Sequence, residues 1–437
     1  MVFRKIKGLH LQGKKELTYN NEAINFLSPH FVYIPLAYAP SSPTNIYEKN
    51  VNIGDDVYVG TLLARRVGNF SHGVYSSVSG KVTAIKKMWH PMGRMVECLE
   101  IENDYKNQLL YDDSVSNPQD LTRRQIIDKM EESGLVGLGG GGFPTYIKYN
   151  PGVQTKYLII NAVECEPYLS CDHVIIMTDV HKILRGVTYM MKAANVNKAK
   201  IVIKKNKKDA INVLKEALKN YNGIELFFVN DVYPAGWEKY IVQKVTKNNY
   251  NLRPSEVGAI VNNIHTAYSL CDAVEKNQPL IERYVTFSGE GLKNPVNVLV
   301  KIGTLAKDVI KEIGGYQDDL SEAYLICGGP MTGKSIYLDD VVITPNVSGI
   351  TILKKEEKKD NPNCLGCGKC ATYCPAFLTP TEIKHAYEIN DVELLIKLNA
   401  RVCAQCGLCS YVCPSRIDIA EYVGKAREVA RKASSSK

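Results

Sequence analysis

Cys364-Leu365-Gly366-Cys367-Gly368-Lys369-Cys370-Ala371-Thr372-Tyr373-Cys374-Pro375 recurs in spacing as Cys403-x2-Cys406-x2-Cys409-x3-Cys413-Pro414. Eight of the thirteen cysteines therefore fall into two copies of one pattern. Three closely spaced thiolates wrap one [4Fe–4S] cube, and the fourth, just before a proline, is directed away to the other cube. The spacing assigns Cys364, Cys367, Cys370 and Cys413 to one cluster, and Cys403, Cys406, Cys409 and Cys374 to its partner. Zinc sites and disulfides are the alternatives, but zinc binders usually pair two CxxC units or add histidines, whereas each run here is a Cys-only triplet plus Cys-Pro. Two cubes at close range form a relay that moves electrons one at a time.

At 437 residues the chain exceeds the size at which a single core stops growing, so two to four domains are expected. The other five cysteines, Cys98, Cys165, Cys171, Cys271 and Cys327, show no framework spacing, which points to a reducing compartment, the cytoplasm. No run approaches the ~20 apolar residues that span a bilayer, and the opening Met1 to Lys7 lacks the apolar core of a signal peptide. Any membrane role is therefore expected to be peripheral. The formal charge is +8. Each cube with four thiolates carries roughly −2, so the loaded chain sits near +4 and nucleic-acid binding is not supported. Basic residues gather at Lys198 to Lys208 and in the tail at Lys425, Arg427, Arg431, Lys432 and Lys437. A solvated face accounts for them; a dock for an acidic redox partner or an anionic membrane surface is the sharper alternative.

Up to about residue 115, short segments rich in Val, Ile, Tyr, Gly and Pro predict small β-structure. From 116 to 283, helical and strand segments alternate, which predicts a parallel α/β domain. A helix carrying Leu121, Ile126, Ile127 and Met130 leads into glycines. Strands follow at Tyr157–Asn161, Lys200–Ile203 and Ile224–Val229, with a helix over Lys208–Tyr221. From 284 to 353, β-like segments such as Tyr284–Gly289 and Ala323–Cys327 return. The charged Lys354–Asp360 reads as a linker opening a cysteine-rich unit over 354–437. In that unit Pro380–Leu398 reads as helix, and Ile417–Ala433 as a closing amphipathic helix.

Outside the cysteines the most informative segment is Gly134-Leu-Val-Gly137-Leu-Gly139-Gly140-Gly141-Gly142-Phe143-Pro144-Thr145-Tyr146-Ile147-Lys148. Glycines leave backbone N–H groups uncovered, so they can form a concave nest for a phosphate, and Lys148 adds a point charge. The string resembles the flavin-binding loop of the NADH-oxidising subunit of respiratory complex I. Three more segments follow in the family's order: Asn161-Ala-Val-Glu164-Cys165-Glu166-Pro167, Tyr233-Pro-Ala-Gly236-Trp237-Glu238, and Val261-Asn262-Asn263-Ile264-His265-Thr266. The resemblance implies FMN contacts at Gly137, Gly139, Gly140, Gly142, Lys148, Asn161, Glu164, Tyr233, Asn262 and Asn263. It implies NADH contacts at Phe143, Glu166 and Glu238, with Phe143 near the flavin ring. Val163 and Trp237 stand where complex I carries acids. A helix-capping role is the plainer reading of Asn262 and Asn263.

Gly328-Gly-Pro-Met-Thr-Gly333-Lys334-Ser335 satisfies the Walker A pattern, but the following Ile336–Pro345 is β-branched and proline-stopped, whereas a phosphate-binding loop must open a helix. The segment looks instead like the Gly-Gly-Pro-Met turn of a β-grasp (SLBB) domain. The stretches Val51–Gly60 and Gly73–Val82 resemble the half-motifs of a lipoyl-like barrel-sandwich, without the Asp-Lys tip that carries lipoate. The lone histidines lack metal or triad spacing, and Cys165 and Cys171 read as buried small hydrophobes.

Together the expected domains are a lipoyl-like barrel-sandwich (1–115), a Rossmann-like FMN/NADH domain (116–283), a β-grasp SLBB domain (284–353) and a helical two-[4Fe–4S] ferredoxin-type domain (354–437). This multidomain α/β layout resembles the C subunit of the Rnf complex, the ion-translocating ferredoxin:NAD⁺ oxidoreductase. The resemblance implies an NADH-linked flavin and iron–sulfur enzyme on the cytoplasmic face of a membrane. Its partners would be NAD(H) and other subunits of the complex, one of them an iron–sulfur protein. NADH-dependent cobalamin reductases of bacterial microcompartments share the layout, and an electron-carrying scaffold without a working flavin site is a third reading.

Overall fold

The computed structural model describes residues 6, 8–37, 47–68, 70–112, 114, 115, 117–149, 152, 154–355 and 363–435. Met1–Lys5, Lys7, most of the 354–360 linker and Lys437 lie outside the described residues. The entry segment carries a one-turn helix α1 (Glu16–Tyr19) and a short strand β1 (Ile24–Phe26). The first unit then follows: β2 (Phe31–Pro35), β3 (Tyr47–Lys49), β4 (Asp56–Val57), β5 (Leu62–Arg66), β6 (His72–Tyr75), β7 (Gly80–His90) and β8 (Arg94–Asn103). These strands form two antiparallel sheets, β2-β8-β7-β4 and β3-β5-β6. Val32, Ile34, Val57, Leu63, Val82, Leu99 and Ile101 fill the space between them.

The second unit comprises α2 (Arg123–Glu132), β9 (Tyr157–Asn161), α3 (Cys171–Ala194), β10 (Ala199–Lys204), α4 (Lys208–Ala217), β11 (Ile224–Val229), α5 (Glu238–Thr246), β12 (Ala259–Asn263) and α6 (Ile264–Glu275). Helix α2 starts at a capping box in which Thr122 and Gln125 satisfy each other's backbone amides. The four strands are parallel in the order β11-β10-β9-β12. Successive side chains point to opposite faces of a strand, so continuous apolar runs serve two cores. Leu158, Ile160, Ile201 and Ile203 join α3 and α6 in one core, while Ile159, Val202 and Val261 join Tyr240, Ile241 and Val245 of α5 in the other. Helices α3 and α6 touch backbone to backbone at Gly186, where a β-carbon would lie 1.9 Å from the Ala267 carbonyl oxygen.

The third unit contains β13 (Glu282–Ser288), β14 (Val296–Lys301), α7 (Ala306–Glu312), β15 (Ala323–Cys327), β16 (Lys334–Ile336) and β17 (Gly349–Lys354). Its sheet runs β1-β14-β13-β17-β15-β16, with Ala306, Val309 and Ile310 of α7 in its core. The entry segment therefore does not serve the barrel. Strand β1 completes this third sheet by parallel pairing with β14, and Leu9 pairs with Tyr233 of the second unit. Strands β15 and β16 pair antiparallel, so the Walker-like segment is a hairpin turn and opens no helix.

The fourth unit holds α8 (Lys369–Thr372), α9 (Pro380–Glu388), α10 (Val392–Lys397), α11 (Leu408–Tyr411) and α12 (Ile419–Ser435). The single helix expected over Pro380–Leu398 is instead two. Asn390 adopts a left-handed φ of 56°, and the Asp391 side chain caps the new helix by accepting from the Leu394 amide at 2.9 Å. Among the described residues, no helix is long and apolar enough to cross a membrane.

Gly186→Val inserts three carbons between backbones already in contact, and overpacking of this kind costs about 3 kcal/mol. The urea midpoint of the second unit's transition is expected to fall accordingly; an unchanged midpoint would show that α3 and α6 can part freely.

Candidate functional site

In an open parallel sheet, ligands bind outside the carboxyl ends of the strands where the order reverses. Here that point lies between β9 and β12, and a cleft of about 500 Å³ opens there. Its walls come from all four units, the first contributing Pro91 and Met92 from the turn between β7 and β8. The second unit supplies Gly139, Gly140 and Gly141, the loop after β9 with Asn161, Glu164 and Glu166, then Tyr233, Gly236 and Trp237, and Asn263 at the end of β12. The third supplies Gly328, Gly329, Thr332, Gly333 and Lys334 of the β15–β16 turn. The fourth supplies Ala404 and Cys406 from the second cysteine motif.

The glycine loop is closed at its base, where the Gly137 amide donates to the Phe143 carbonyl at 2.8 Å and the Gly142 amide to the Gly137 carbonyl at 3.0 Å. Above that base the amides of Gly139, Gly140 and Gly141 make no hydrogen bond within the described residues. β-Carbons built at Gly140 and Gly141 would meet nothing within 4 Å. Uncommitted donors facing open space are what an anionic or carbonyl-rich cofactor requires. The residues present therefore fit a flavin nucleotide.

Several of the expected contact residues have partners in the protein itself. The Glu164 carboxylate, 4% exposed, lies 2.9 Å from the Lys207 ammonium and 3.8 Å from that of Lys15, and accepts the Asp172 amide at 2.6 Å. Burial alone would raise its pKa, but the two ammonium groups more than offset that and hold it below the usual carboxylate range. Burial brings Lys15 down to about 8. Asn161 donates to the Gly236 carbonyl at 3.0 Å and accepts the Val163 amide at 3.1 Å. Asn263 caps α6 by accepting the His265 amide at 2.8 Å while its Nδ2 donates to Asp172 at 2.8 Å, so it both caps the helix and lines the cleft.

Six expected residues do not line the cleft; two of them, Gly137 and Gly142, close the base of the glycine loop instead. The Lys148 ammonium lies beneath β12, donating to the Val261 carbonyl at 2.7 Å and to Asn262 Oδ1 at 3.3 Å rather than toward the glycine loop. Asn262 is buried against the Tyr149 hydroxyl at 2.7 Å. The Phe143 ring meets Phe70 edge-on at 5.4 Å. Glu238 opens α5 and accepts from the Tyr250 hydroxyl at 2.9 Å.

Glu166 shows what motif reading missed. Its Oε1 accepts the amides of Met331 at 2.7 Å and Thr332 at 3.1 Å, and its Oε2 the Thr332 hydroxyl at 2.9 Å. The Gly-Gly-Pro-Met turn is thereby clamped over the cleft. The Met331 carbonyl in turn sits against Gly407, where a β-carbon would lie 2.5 Å away. The Tyr233 hydroxyl donates to the Cys406 carbonyl at 2.7 Å. The second cysteine motif thus docks on the cleft through two contacts.

In that motif Cys403, Cys406 and Cys409 crowd together with Cys374. Burial, then the neighbouring sulfurs, pushes the Cys409 thiol up to about 12, and that of Cys406 equally far. Thiolates so placed need a cationic core, and an iron–sulfur cube supplies one. Backbone amides already point at three ligand-type sulfurs, Gln405 to Cys403 at 3.3 Å, Leu378 to Cys374 at 3.4 Å and Gly366 to Cys364 at 3.4 Å. Cys364 and Cys367 of the first motif are exposed. Of the basic run, Lys204 and Lys207 are buried in ion pairs with Asp231 and Glu164.

At the cleft wall, Cys171 and Asp172, with His265, bring potential ligand atoms within 4.8 Å of one another. The buried Arg283 guanidinium beside Cys171 and Asp172 supplies positive charge there, and burial, then Arg283 and Lys182, holds His265 well below its ordinary pKa.

Family models match three stretches: a Nuo51 FMN-binding domain over residues 130–272, an RnfC barrel sandwich hybrid domain over 3–106, and a 4Fe-4S dicluster domain over 355–417. The C subunit of the proton-translocating ferredoxin:NAD(+) oxidoreductase complex of Clostridium ljungdahlii is 34% identical over 384 residues, 86% of this chain and 82% of that protein. The C subunit of the Na(+)-translocating ferredoxin:NAD(+) oxidoreductase complex of Acetobacterium woodii is 32% identical over 393 residues, 88% of this chain and 87% of that protein. The C subunit of the ion-translocating oxidoreductase complex of Rhodobacter capsulatus is 32% identical over 402 residues, 88% and 75% of the two chains. A crystal structure of NAD+-reducing [NiFe]-hydrogenase in the air-oxidized state matches with a TM-score of 0.51 at 16% identity. That match covers 72% of this chain and 63% of the other, a likeness of fold alone. Fold and site define a chain built from a barrel-sandwich, an FMN-binding domain and an iron–sulfur domain. It belongs to the family formed by the C subunits of the ion-translocating ferredoxin:NAD⁺ oxidoreductase complexes, the Rnf type.

Asp172 offers a pH test. Burial first, then Glu164, raises its pKa to about 7, against the hydrogen bond from Asn263 and the Lys207 and Arg283 charges. A raised carboxyl pKa means the fold favours the protonated form. Its stabilising contribution is full below about pH 4 and is lost as pH rises toward 7. Asp172→Asn, permanently neutral, is expected to gain stability relative to wild type across that window, by a few degrees in melting temperature at pH 8. A difference independent of pH would contradict the assignment.

Proposed function

We propose that this chain is the peripheral electron-transfer subunit of a membrane-bound, ion-translocating ferredoxin:NAD⁺ oxidoreductase, lying on the cytoplasmic face and meeting an iron–sulfur partner subunit there. In this reading hydride passes between NAD(H) and FMN in the cleft, and single electrons pass through two [4Fe–4S] clusters. The observation that carries it is the shared wall: the uncommitted amides of Gly139–Gly141 and the backbone of Cys406 border one cleft. A flavin bound there supplies the conversion between a two-electron hydride and one-electron carriers.

The chain's own residues divide the work. Gly139, Gly140 and Gly141 would hold the flavin nucleotide by backbone amides, with Asn263 and Asn161 fixing the strand ends beside it. Lys148 acts from below, bracing Asn262 and the end of β12. Glu164, locked between Lys207 and Lys15, fixes the loop after β9. Glu166 works by holding the third unit's turn in place, so its role is to shape the nicotinamide seat. Glu238 orients Tyr250 and the start of α5. Cys403, Cys406, Cys409 and Cys374 would hold the cluster nearer the flavin, and Cys364, Cys367, Cys370 and Cys413 the outer one. The third unit, with its helix over a mixed sheet and its Gly-Gly-Pro-Met turn, we read as the SLBB β-grasp domain.

The test is an anaerobic NADH titration of the cluster-loaded, FMN-supplied chain, alongside Gly141→Asp. That substitution places a carboxylate in open space at a backbone any residue adopts. Wild type should show flavin bleaching followed by reduced-cluster EPR signals. Gly141→Asp should weaken FMN binding at least tenfold, about 1.4 kcal/mol, with cluster absorbance unchanged. FMN that binds both proteins equally, or fails to bleach in wild type, would remove the cleft from the reaction.

A further inference from the structure

The two cysteine motifs lie in unlike surroundings. The first presents Cys364 and Cys367 to solvent, whereas the second is folded against the cleft. Adding an electron to a cube makes its net charge more negative, so burial alone makes the second cluster harder to reduce. Yet that is the cluster the cleft reaches first. The closing helix α12 brings a positive charge to that motif.

Gly424 of α12 lies against Gln405, with a built β-carbon 3.4 Å from the Gln405 Nε2. One turn further along, the Arg427 guanidinium donates to the Gln405 side-chain oxygen. Gln405 sits between Cys403 and Cys406 in a left-handed conformation, φ 51°, and its amide points at the Cys403 sulfur. Arg427 is thus held through Gln405 beside the second motif, within electrostatic reach of Cys403. Its Nε is buried with no hydrogen-bond partner among the described residues. A buried, unpaired guanidinium N–H is costly unless an acceptor or an anion lies nearby, and the sulfurs of an anionic cube answer that need. The only acid the guanidinium touches among the described residues is Glu428, at 3.3 Å on the solvent side.

We propose that Arg427 is a redox-setting residue: its charge raises the reduction potential of the cluster held by Cys403, Cys406, Cys409 and Cys374, keeping that buried cluster reducible from the flavin cleft. The proposal rests on the two-cluster relay described above. Its test is an EPR-monitored redox titration of the full, cluster-loaded chain as wild type, Arg427→Gln, Arg427→Lys and Glu428→Gln. In Arg427→Gln one of the two cluster signals should become about tenfold harder to reduce, equivalent to about 59 mV for one electron. The other signal should stay in place, and Arg427→Lys should recover most of the loss. Glu428→Gln, a change at a half-exposed side chain that also pairs with Arg431, should move the same signal the opposite way by a smaller amount.

Signals that stay in place in both Arg427→Gln and Glu428→Gln, or that move together, would overturn the role of Arg427 and leave the relay standing. If Arg427→Gln fails to load clusters, Glu428→Gln alone decides by the same criterion. A wild-type chain that binds a single cluster would overturn the relay and this proposal with it.

Discussion

The grip of the Glu166 carboxylate on the β15–β16 turn organises everything around the cleft. Three donors from one hairpin converge on two oxygens of a side chain from another unit. Burial raises the pKa of Glu166, while those same hydrogen bonds oppose the rise. A buried carboxylate is tolerated when donors surround it, and removing them leaves an uncompensated buried group. Because Met331 of the clamped turn rests on Gly407, the same grip fixes the loop that carries Cys406. The placing of the second cysteine motif against the glycine loop is thus set by contacts between units.

The loop after β9 is held with comparable insistence from the other side. Glu164 and Tyr168 both adopt left-handed backbone conformations, at φ 45° and 67°, which non-glycine residues rarely accept. Such strain persists where the surroundings over-determine it. Here Lys15 from the entry segment donates to the Glu166 and Leu169 carbonyls, and Lys207 from the end of β10 pairs with Glu164. The entry segment thus stitches, through its lysine, the loop that the cleft depends on.

Much of this is legible in the residues. Continuous apolar runs such as Tyr157–Asn161 mark buried parallel strands, and the Cys-x2-Cys-x2-Cys-x3-Cys-Pro repeats mark the iron–sulfur unit because spacing and ligand chemistry are inseparable there. The cleft-lining Gly139, Gly140, Asn161, Tyr233 and Asn263 stand out by their motifs. What local sequence does not reveal is long-range pairing. Motif reading makes Glu166 a nicotinamide contact because no local signal couples it to Thr332, 166 residues away. It makes Lys148 a phosphate contact, whereas the ammonium bonds the Val261 carbonyl, a backbone group that any sequence offers. Proximity in the chain assigns strand β1 to the barrel, while its hydrogen-bonding edge is satisfied by β14. The break at Asn390 carries a legible signal, an Asn-Asp pair able to end one helix and cap the next, that the helical periodicity around it obscures.

The most direct measurement is hydrogen exchange on the cluster-loaded chain, comparing wild type with Glu166→Ala. Faster exchange is expected in two segments distant in sequence, residues 328–334 and 403–409, with the barrel strands β7 and β8 unchanged. Exchange that rises in neither segment, or in the first alone, would show that the turn and the cluster loop are held by something other than Glu166.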